Sequence, residues 1–315
     1  MPAPAGLICS DCQFYALDAE LNAICIRYPP ATLVVGGHTV TPVFQRVPDV
    51  NEWCGEWNRN NMFLTSERGH LYGLTVSMSA VDASNDLVVG VGEATTDDVS
   101  DPVLLKLDTA ITKQLDATWE LGSDRGGLDT GTAADGPYHV YLIGRSDTAV
   151  VDVLFSASAS SPVLPANYDR KRRIASFMRN AGVIRPFRQD NDQFILHDNW
   201  TASDSTTPVT DVLLNLPLPT GIHLTPLLTC EIKLISNGDA FYAVGDGDMD
   251  HADVIIGRVI NVAAYNIAQS ERRMTNLAGQ IRYTLVLNAG AIETLHINLS
   301  GWVDARGRCK PDGQP

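Results

Sequence analysis

The sequence predicts a mostly β protein, in which a small N-terminal module with four cysteines precedes two antiparallel β-sandwich domains of a jelly-roll-like type. Four of the six cysteines lie within the first 54 residues. From residue 62 onward, large apolar residues alternate with small or polar ones, which is the period of a half-buried strand. Turn-forming stretches such as "ASND" and "GTAADGP" separate these segments. The module is therefore placed at 1–58 and the β domains at 62–197 and 198–315.

The N-terminal module carries the cysteine spacing C-x2-C-x12-C-x28-C. A Cys-x-x-Cys bend aims two thiolates at one centre, and two further cysteines complete a shell of four. So short a segment has a small core, and a metal centre would supply the missing stability. The pattern favours an iron–sulfur cluster or a zinc ion, with two disulfides as the other interpretation. The four candidate ligands, called the cysteine set below, are Cys9, Cys12, Cys25 and Cys54.

The residues around these cysteines are similar to the high-potential iron–sulfur proteins. The similarity rests on "CSDCQFY", on the single cysteine in "AICIRYPP" and on "VNEWCGEW", and it covers roughly residues 7–58. It implies one 4Fe–4S cluster held by the cysteine set, with Tyr15, Trp53 and Trp57 shielding the cluster from water. The last gap between cysteines departs from that family, because it is longer here and contains "LVVGGHTVTPVFQRVPD".

The first β domain is expected to contain strands in "HLYGLTVSMSAV", "PYHVYLIGRS" and "AVVDVLFSAS". One short helix is predicted in "DTAITKQLDATWELG", since Ile111, Leu115 and Trp119 are spaced four apart. Asp108 or Thr109 would cap this helix.

The second β domain follows a polar joint predicted at 198–211, "DNWTASDSTTPVTD". Strands are expected in "VLLNLPLP", "LLTCEIKLIS", "AFYAVGD", "QIRYTLVL" and "TLHINLSGWVD". Cys230 lies in one of these segments and is predicted to be a buried core thiol.

Other candidate sites are weaker. "GDGDMDHAD" spaces Asp246, Asp248 and Asp250 like a weak calcium loop, but it lacks the glycine and the final acidic residue of that motif. "YDRKRRIASF" is expected to make ion pairs between subunits or within a domain. Lectin-like binding would use aromatic residues such as Tyr138, Tyr168 or Trp200. No nucleophile elbow, phosphate loop or dinucleotide motif is present, so we do not expect an enzyme.

The charge and hydropathy patterns restrict the partners. The formal net charge is −14 and the pI about 4.8, which argues against nucleic-acid binding. No run of about 18 apolar residues occurs, so no membrane span is expected. The start of the chain lacks a signal-peptide pattern, and we expect synthesis in a cytosol.

Several long segments resemble tailed-phage and prophage virion proteins of the tail-fibre or minor tail type. They include "HLYGLTVSMSAVDASNDLVVGVGEATTDD", the block from "KQLDATWELG" to "YDRKRRIASF", and "GWVDARGR". The resemblance implies a non-enzymatic tail, collar or fibre appendage that is made in the host cytoplasm and released by lysis. It also implies other virion proteins as partners, a homo-oligomer with a trimer favoured, and contact with a host-surface glycan. The alternatives are an iron–sulfur electron-transfer protein and a carbohydrate-binding β protein.

Overall fold

The structure, a computed structural model, describes residues 67–308 except 99, 236, 253, 261–265 and 270–272. Before residue 67 it describes only the backbone of four short strands. The chain forms two compact units, residues 1–64 and 65–315. In the first unit, β1 (Tyr15–Leu17) pairs with β2 (Ala23–Cys25), and β3 (Val34–Val35) pairs with β4 (His38–Thr39), both antiparallel.

Every regular element described in the second unit is a strand, as the predicted β class requires. The strands up to residue 184 are β5 (Leu71–Gly73), β6 (Val76–Met78), β7 (Asp86–Val89), β8 (Gly92–Thr95), β9 (Leu104–Leu107), β10 (Ile111–Thr118), β11 (Arg125–Leu128), β12 (Gly136–Gly144), β13 (Val151–Ser156), β14 (Arg170–Asn180) and β15 (Val183–Ile184). The remaining strands are β16 (Phe187–Asp190), β17 (Gln193–Ser203), β18 (Val209–Asn215), β19 (Thr225–Leu234), β20 (Asp239–Gly245), β21 (Val254–Ile260), β22 (Asn266–Gln269), β23 (Gln280–Ala289) and β24 (Ile292–Val303).

The first half of this unit is built on an eight-stranded sheet in the order β15-β14-β12-β13-β11-β10-β7-β6, next to a three-stranded sheet β5-β8-β9. The large sheet is mixed, not purely antiparallel, because the short strand β11 is parallel to both of its neighbours, β10 and β13. Gly126 permits this pairing. A Cβ atom there would lie 1.9 Å from the carbonyl oxygen of Thr118 in β10, so only glycine fits.

The helix predicted between Asp108 and Gly122 is wrong, because Ile111–Thr118 is strand β10. A spacing of four fits a helix face, but it also keeps residues on one face of a strand, where side chains repeat every second position. The deciding residue is Lys113. It lies between Ile111 and Leu115 on that face and is itself fully buried, so the true period is two.

The second half contains a five-stranded sheet, β16-β17-β24-β19-β22, and a four-stranded sheet, β18-β23-β20-β21. Both are antiparallel, and alternate residues of β19 and β24 are buried. The sheets face each other across an apolar core, where the Tyr242 hydroxyl donates a hydrogen bond to the Cys230 carbonyl oxygen at 3.3 Å. Cys230 is 1% exposed, which confirms the predicted core thiol.

The polar segment 198–211, predicted as a joint, is largely strand: β17 runs through its first part and β18 begins in its last part. Its polar residues are tolerated because most of the β17 part and much of the β18 part is exposed or half-buried. The halves meet elsewhere. The Val76 amide in β6 donates to Gln189 Oε1 in β16 at 2.7 Å. This contact ties the edge of the eight-stranded sheet to the second half.

Aromatic side chains fill the centres of both halves. In the first half, Phe177 stacks on Tyr138 and meets the ring of Phe155 edge-on, with centroid distances of 5.6 Å. In the second half, Phe194 stacks on Trp302 at 5.8 Å. Burying one such side chain contributes roughly 1.5–3 kcal/mol, so these clusters are main sources of stability.

Candidate functional site

The cysteine set lies almost entirely outside the described residues. Only the backbone of Cys25 is described, at the end of β2, where it pairs with Tyr15 at the start of β1. The side chains of both residues, and all of the other cysteines of the set, Trp53 and Trp57, lie outside the described part of the chain. The four-cysteine centre and its aromatic shield therefore stay predictions.

The carboxylates of the acidic loop engage separate partners. Asp246 Oδ1 accepts a hydrogen bond from the Met274 amide at 2.8 Å, whereas Asp250 Oδ1 lies 2.6 Å from Nδ1 of its neighbour His251. Asp248 lies between them in the sequence. Within the described residues, no group of three or more His, Cys, Asp or Glu side chains could hold a metal ion. The described geometry therefore adds no support for calcium in this loop.

The basic run in "YDRKRRIASF" makes ion pairs within the chain. Arg170 Nη2 lies 2.8 Å from Asp101 Oδ2, and Lys171 Nζ lies 2.8 Å from Asp97 Oδ2. Both acidic partners precede β9, while both cations begin β14. Of the two predicted roles for this run, the intradomain one is confirmed for these residues.

Arg173, two residues beyond Lys171 in the run, belongs to a buried cluster that includes the residues directly after β24. Its guanidinium donates to both oxygens of Asp304, at 2.6 and 2.9 Å. The Ser176 hydroxyl donates to Asp304 Oδ2 at 2.8 Å, and the Arg306 amide donates to Asp304 Oδ1 at 2.7 Å. Four donors thus converge on one carboxylate, which is 1% exposed. These residues, Arg173, Ser176, Asp304 and Arg306, are called the Asp304 cluster below.

The Arg306 side chain extends the cluster to the beginning of the unit. Its Nε donates to the Ile174 carbonyl oxygen at 2.8 Å, and its Nη2 donates to the carbonyl oxygens of Gly73 and Leu74 at 3.1 and 2.7 Å. Gly73 and Leu74 both have positive φ, which produces a bend between β5 and β6. One side chain thus satisfies carbonyl groups from two distant segments of the first half.

The electrostatics of the Asp304 cluster favour its charged form. Burial alone would raise the pKa of Asp304, but Arg173 and the hydrogen bonds outweigh burial and lower that pKa to about 2. Burial lowers the pKa of Arg306 to about 10, so its guanidinium is still charged at neutral pH. The cluster is therefore charged at neutral pH, and its hydrogen bonds fix the positions of the charged groups.

A second buried pair joins β10 and β13. Lys113 Nζ lies 3.0 Å from Asp152 Oδ1 and 3.1 Å from Oδ2, and both side chains are 0% exposed. The same Nζ donates to the Glu120 carbonyl oxygen at 2.5 Å and lies 5.2 Å from the centroid of the Trp119 ring. The pair is therefore closed off from solvent on all described sides.

Protonation in this second pair differs from that in the Asp304 cluster. Burial is the largest effect on both groups: it lowers the pKa of Lys113 and raises the pKa of Asp152. Each group is thereby driven towards its neutral form. An ammonium ion pairs as a point charge, whereas the Arg173 fork fits a carboxylate with two parallel hydrogen bonds.

Two of the three aromatic residues named for glycan binding are not available for it. Tyr138 is 4% exposed and its hydroxyl donates to the Ala134 carbonyl oxygen, while Tyr168 is 9% exposed and packs edge-on against Trp119. The interpretation of these two tyrosines as loop residues that bind a ligand is wrong, because each fills the core. Trp200 is half-buried, with Arg185 5.0 Å from its ring centroid.

Comparison of the chain with protein families, with curated proteins and with solved structures finds no match. Among the residues that the structure describes, no helix has the length and apolar character that a membrane span needs.

Sequence reasoning missed both buried pairs. The available signals were Lys113 within an apolar alternation and "DAR" immediately after β24. Neither signal identifies the partner, which lies 39 residues away in one pair and 131 in the other.

Proposed function

We propose that this chain is a non-enzymatic structural component of a tailed-phage virion, in a tail-fibre, tail or collar-type appendage. The observation that carries the proposal is the Asp304 cluster. It connects the end of the last strand to the centre of β14 and to the bend after β5, so that the second unit is closed from its beginning to its end. A component that transmits force within a particle needs this kind of closure.

The use of charge in the second unit supports the same role. Basic side chains of β14 are paired with acidic residues of the same chain, both at the surface and in the core. Such pairs hold segments in one arrangement, and each of the two buried pairs is closed off from the solvent that a substrate would arrive from. Rigid sheets with exposed loops suit an assembly module.

In this proposal the N-terminal module attaches the protein to the particle. The cysteine set holds a 4Fe–4S cluster, or alternatively a zinc ion, and thereby folds a module with a small core. The second unit, in a sandwich-like arrangement and as a homo-oligomer, with a trimer favoured, projects from the particle or packs against other virion proteins. A preformed module loses little conformational entropy on docking, which favours its use as the attachment point.

The test is the protein content of purified particles. Phage that carry this gene are propagated and banded on a density gradient, and peptides from residues 67–308 are quantified by mass spectrometry relative to the major capsid protein. We expect a constant copy number per particle. A chain that is abundant in the lysate but absent from banded particles would refute the structural role.

A matched pair of cysteine variants tests the docking part. Particles from phage with Cys12→Ala should lack the protein, whereas Cys309→Ala, which changes a cysteine outside the cysteine set, should leave the copy number unchanged. If particles of both variants contain the normal copy number of the protein, attachment depends on the second unit and not on the N-terminal module.

A further inference from the structure

The Lys113–Asp152 pair has the composition and geometry of two groups that can condense. The amine nitrogen lies within 3.1 Å of both carboxyl oxygens, and the two side chains come from strands that are not direct neighbours. Strand β11 lies between them in the sheet. Contact between the two groups therefore bridges a strand.

The surroundings exclude water and leave room for the contact. Gly127 in β11 faces the pair: a Cβ atom there would lie 3.0 Å from the Lys113 Cβ and 2.9 Å from the Phe155 ring. A larger residue in β11 would push the lysine aside. With the Trp119 ring also near the amine, the pair lies among aromatic groups.

The carboxyl group is held by two backbone amides. The Gly122 amide donates to Asp152 Oδ2 at 2.8 Å, and the Val153 amide donates to Oδ1 at 2.6 Å. Fixed donors of this kind stabilise negative charge that develops on an oxygen during attack on a carboxyl carbon. The Glu120 carbonyl oxygen accepts a hydrogen bond from the amine and fixes its position.

Burial shifts both groups towards the protonation states that condensation needs. An ammonium ion has no lone pair and a carboxylate resists attack, but burial lowers the pKa of Lys113 and raises that of Asp152. Both shifts favour the contact of a neutral amine with a neutral carboxylic acid over the contact of two charged groups.

We propose that Lys113 and Asp152 join in an intramolecular isopeptide bond. The lone pair of Nζ attacks Cγ of the protonated Asp152, and the Gly122 amide stabilises the charge that develops on Oδ2. The C–Oδ1 bond then breaks, and Oδ1 leaves as water with the carboxyl hydrogen and one amine hydrogen. The product is a secondary amide and one water molecule, so no oxidant or other reactant is needed.

Proximity and burial make this step favourable within the folded chain. Groups held in contact react at effective concentrations on the order of 10⁵–10⁸ M, which free molecules cannot attain in solution. The site is closed to solvent, so once the released water has left, bulk water does not return readily and the reverse hydrolysis lacks its reactant. The bond would fasten β10 to β13 across the four-residue strand β11. The proposal does not depend on the virion role.

The test is the intact mass of the full-length folded protein. After prolonged incubation of the purified protein, we expect a mass lower than that of the sequence by one water molecule. Trypsin should then leave Lys113 uncleaved and release one linked species, residues 107–125 joined to residues 146–170. A folded protein that keeps its full mass would overturn the proposal.

Two controls separate this bond from other losses of water. In Lys113→Met the side chain has similar length but no amine, so the full mass should be retained. Wild-type protein purified and kept in urea should also retain the full mass, because the reaction needs the folded contact. A loss of water without the linked tryptic species would indicate an aspartyl succinimide and would equally overturn the proposal.

Discussion

Replacing Asp304 with asparagine should destabilise the second unit more than the change of any surface carboxylate. Asparagine is close in size but neutral, and it leaves the Arg173 guanidinium in the core without its counter-charge. The Arg306 amide and the Ser176 hydroxyl would also lose an anionic acceptor. The perturbation therefore affects the whole cluster while changing its volume little.

The magnitude follows from two routes. The pKa of Asp304 is lowered from 3.8 to about 2, and this difference corresponds to about 2 kcal/mol in favour of the charged folded state. Removing one partner of a buried ion pair costs about 3–5 kcal/mol. We therefore expect Asp304→Asn to lower the free energy of unfolding by about 2 to 5 kcal/mol at neutral pH.

The assay is urea denaturation of the full chain, with hydrogen exchange followed in peptides that cover residues 170–180 and 300–308. Asp192→Asn is the matched control, because Asp192 pairs with Arg308 at the surface and such pairs contribute about 0–1 kcal/mol. If Asp304→Asn changes the free energy of unfolding no more than this control, the cluster does not hold the unit together.

The pH dependence gives an independent check. Since the pKa of Asp304 is lower in the folded state, its contribution is fully present above about pH 4 and is lost as the pH falls towards 2. Wild-type protein should lose this stability over that interval. The asparagine variant has no carboxyl group at this position, so its acid unfolding should lack that component.

Three further outcomes are expected. Burial, aided by nearby carboxylates, raises the pKa of Asp86 to about 6, so wild-type stability should rise as the pH falls from above 6 to below 4. Asp86→Asn should therefore stabilise the protein at pH 8 by at most about 3 kcal/mol, and solvent screening should reduce this gain to about half. Asp116→Asn removes only one of the neighbouring carboxylates and should stabilise the protein by less. Urea denaturation would measure both gains. Gly126→Ala should lower the free energy of unfolding by about 3 kcal/mol or more, because its Cβ would lie 1.9 Å from a carbonyl oxygen of β10. In the control Gly90→Ala the nearest atom to the new Cβ is 3.5 Å away, and the loss should be about 1 kcal/mol or less. Thermal unfolding would measure both. Anaerobically purified protein should contain about four irons, or about one zinc, per chain. Serine at any position of the cysteine set should abolish metal binding, whereas Cys230→Ser should not. Disulfide pairing within the cysteine set would contradict the metal centre.

The sequence predicted the β class because alternation is a local signal. In "LLTCEIKLIS" the apolar residues recur at every second position, and the strand β19 buries that same face. The error at β10 has the same origin. Lys113 interrupts the apolar alternation of β10, and the remaining apolar residues Ile111 and Leu115 have a spacing of four, which also fits a helix.

The buried charges could not be predicted, because the burial of a charged side chain depends on a partner that is distant in sequence. Arg173 is buried together with its counter-charge Asp304, which follows β24, and no residue near Arg173 in the sequence indicates this pairing. Local sequence shows which residue types are charged. The fold determines which of them become neutral, paired or exposed.

The long sequence separation between Arg173 and Asp304 also sets the order of events during synthesis. Arg173 leaves the ribosome 131 residues before its counter-charge does. At a translation rate of about 5–20 residues per second, that interval is roughly 7 to 26 seconds. Throughout that time the nascent first half has a cation that it cannot bury and carbonyl groups of Gly73 and Leu74 that await Arg306. Completion of the core of the first half therefore waits until the segment after β24 has been synthesised.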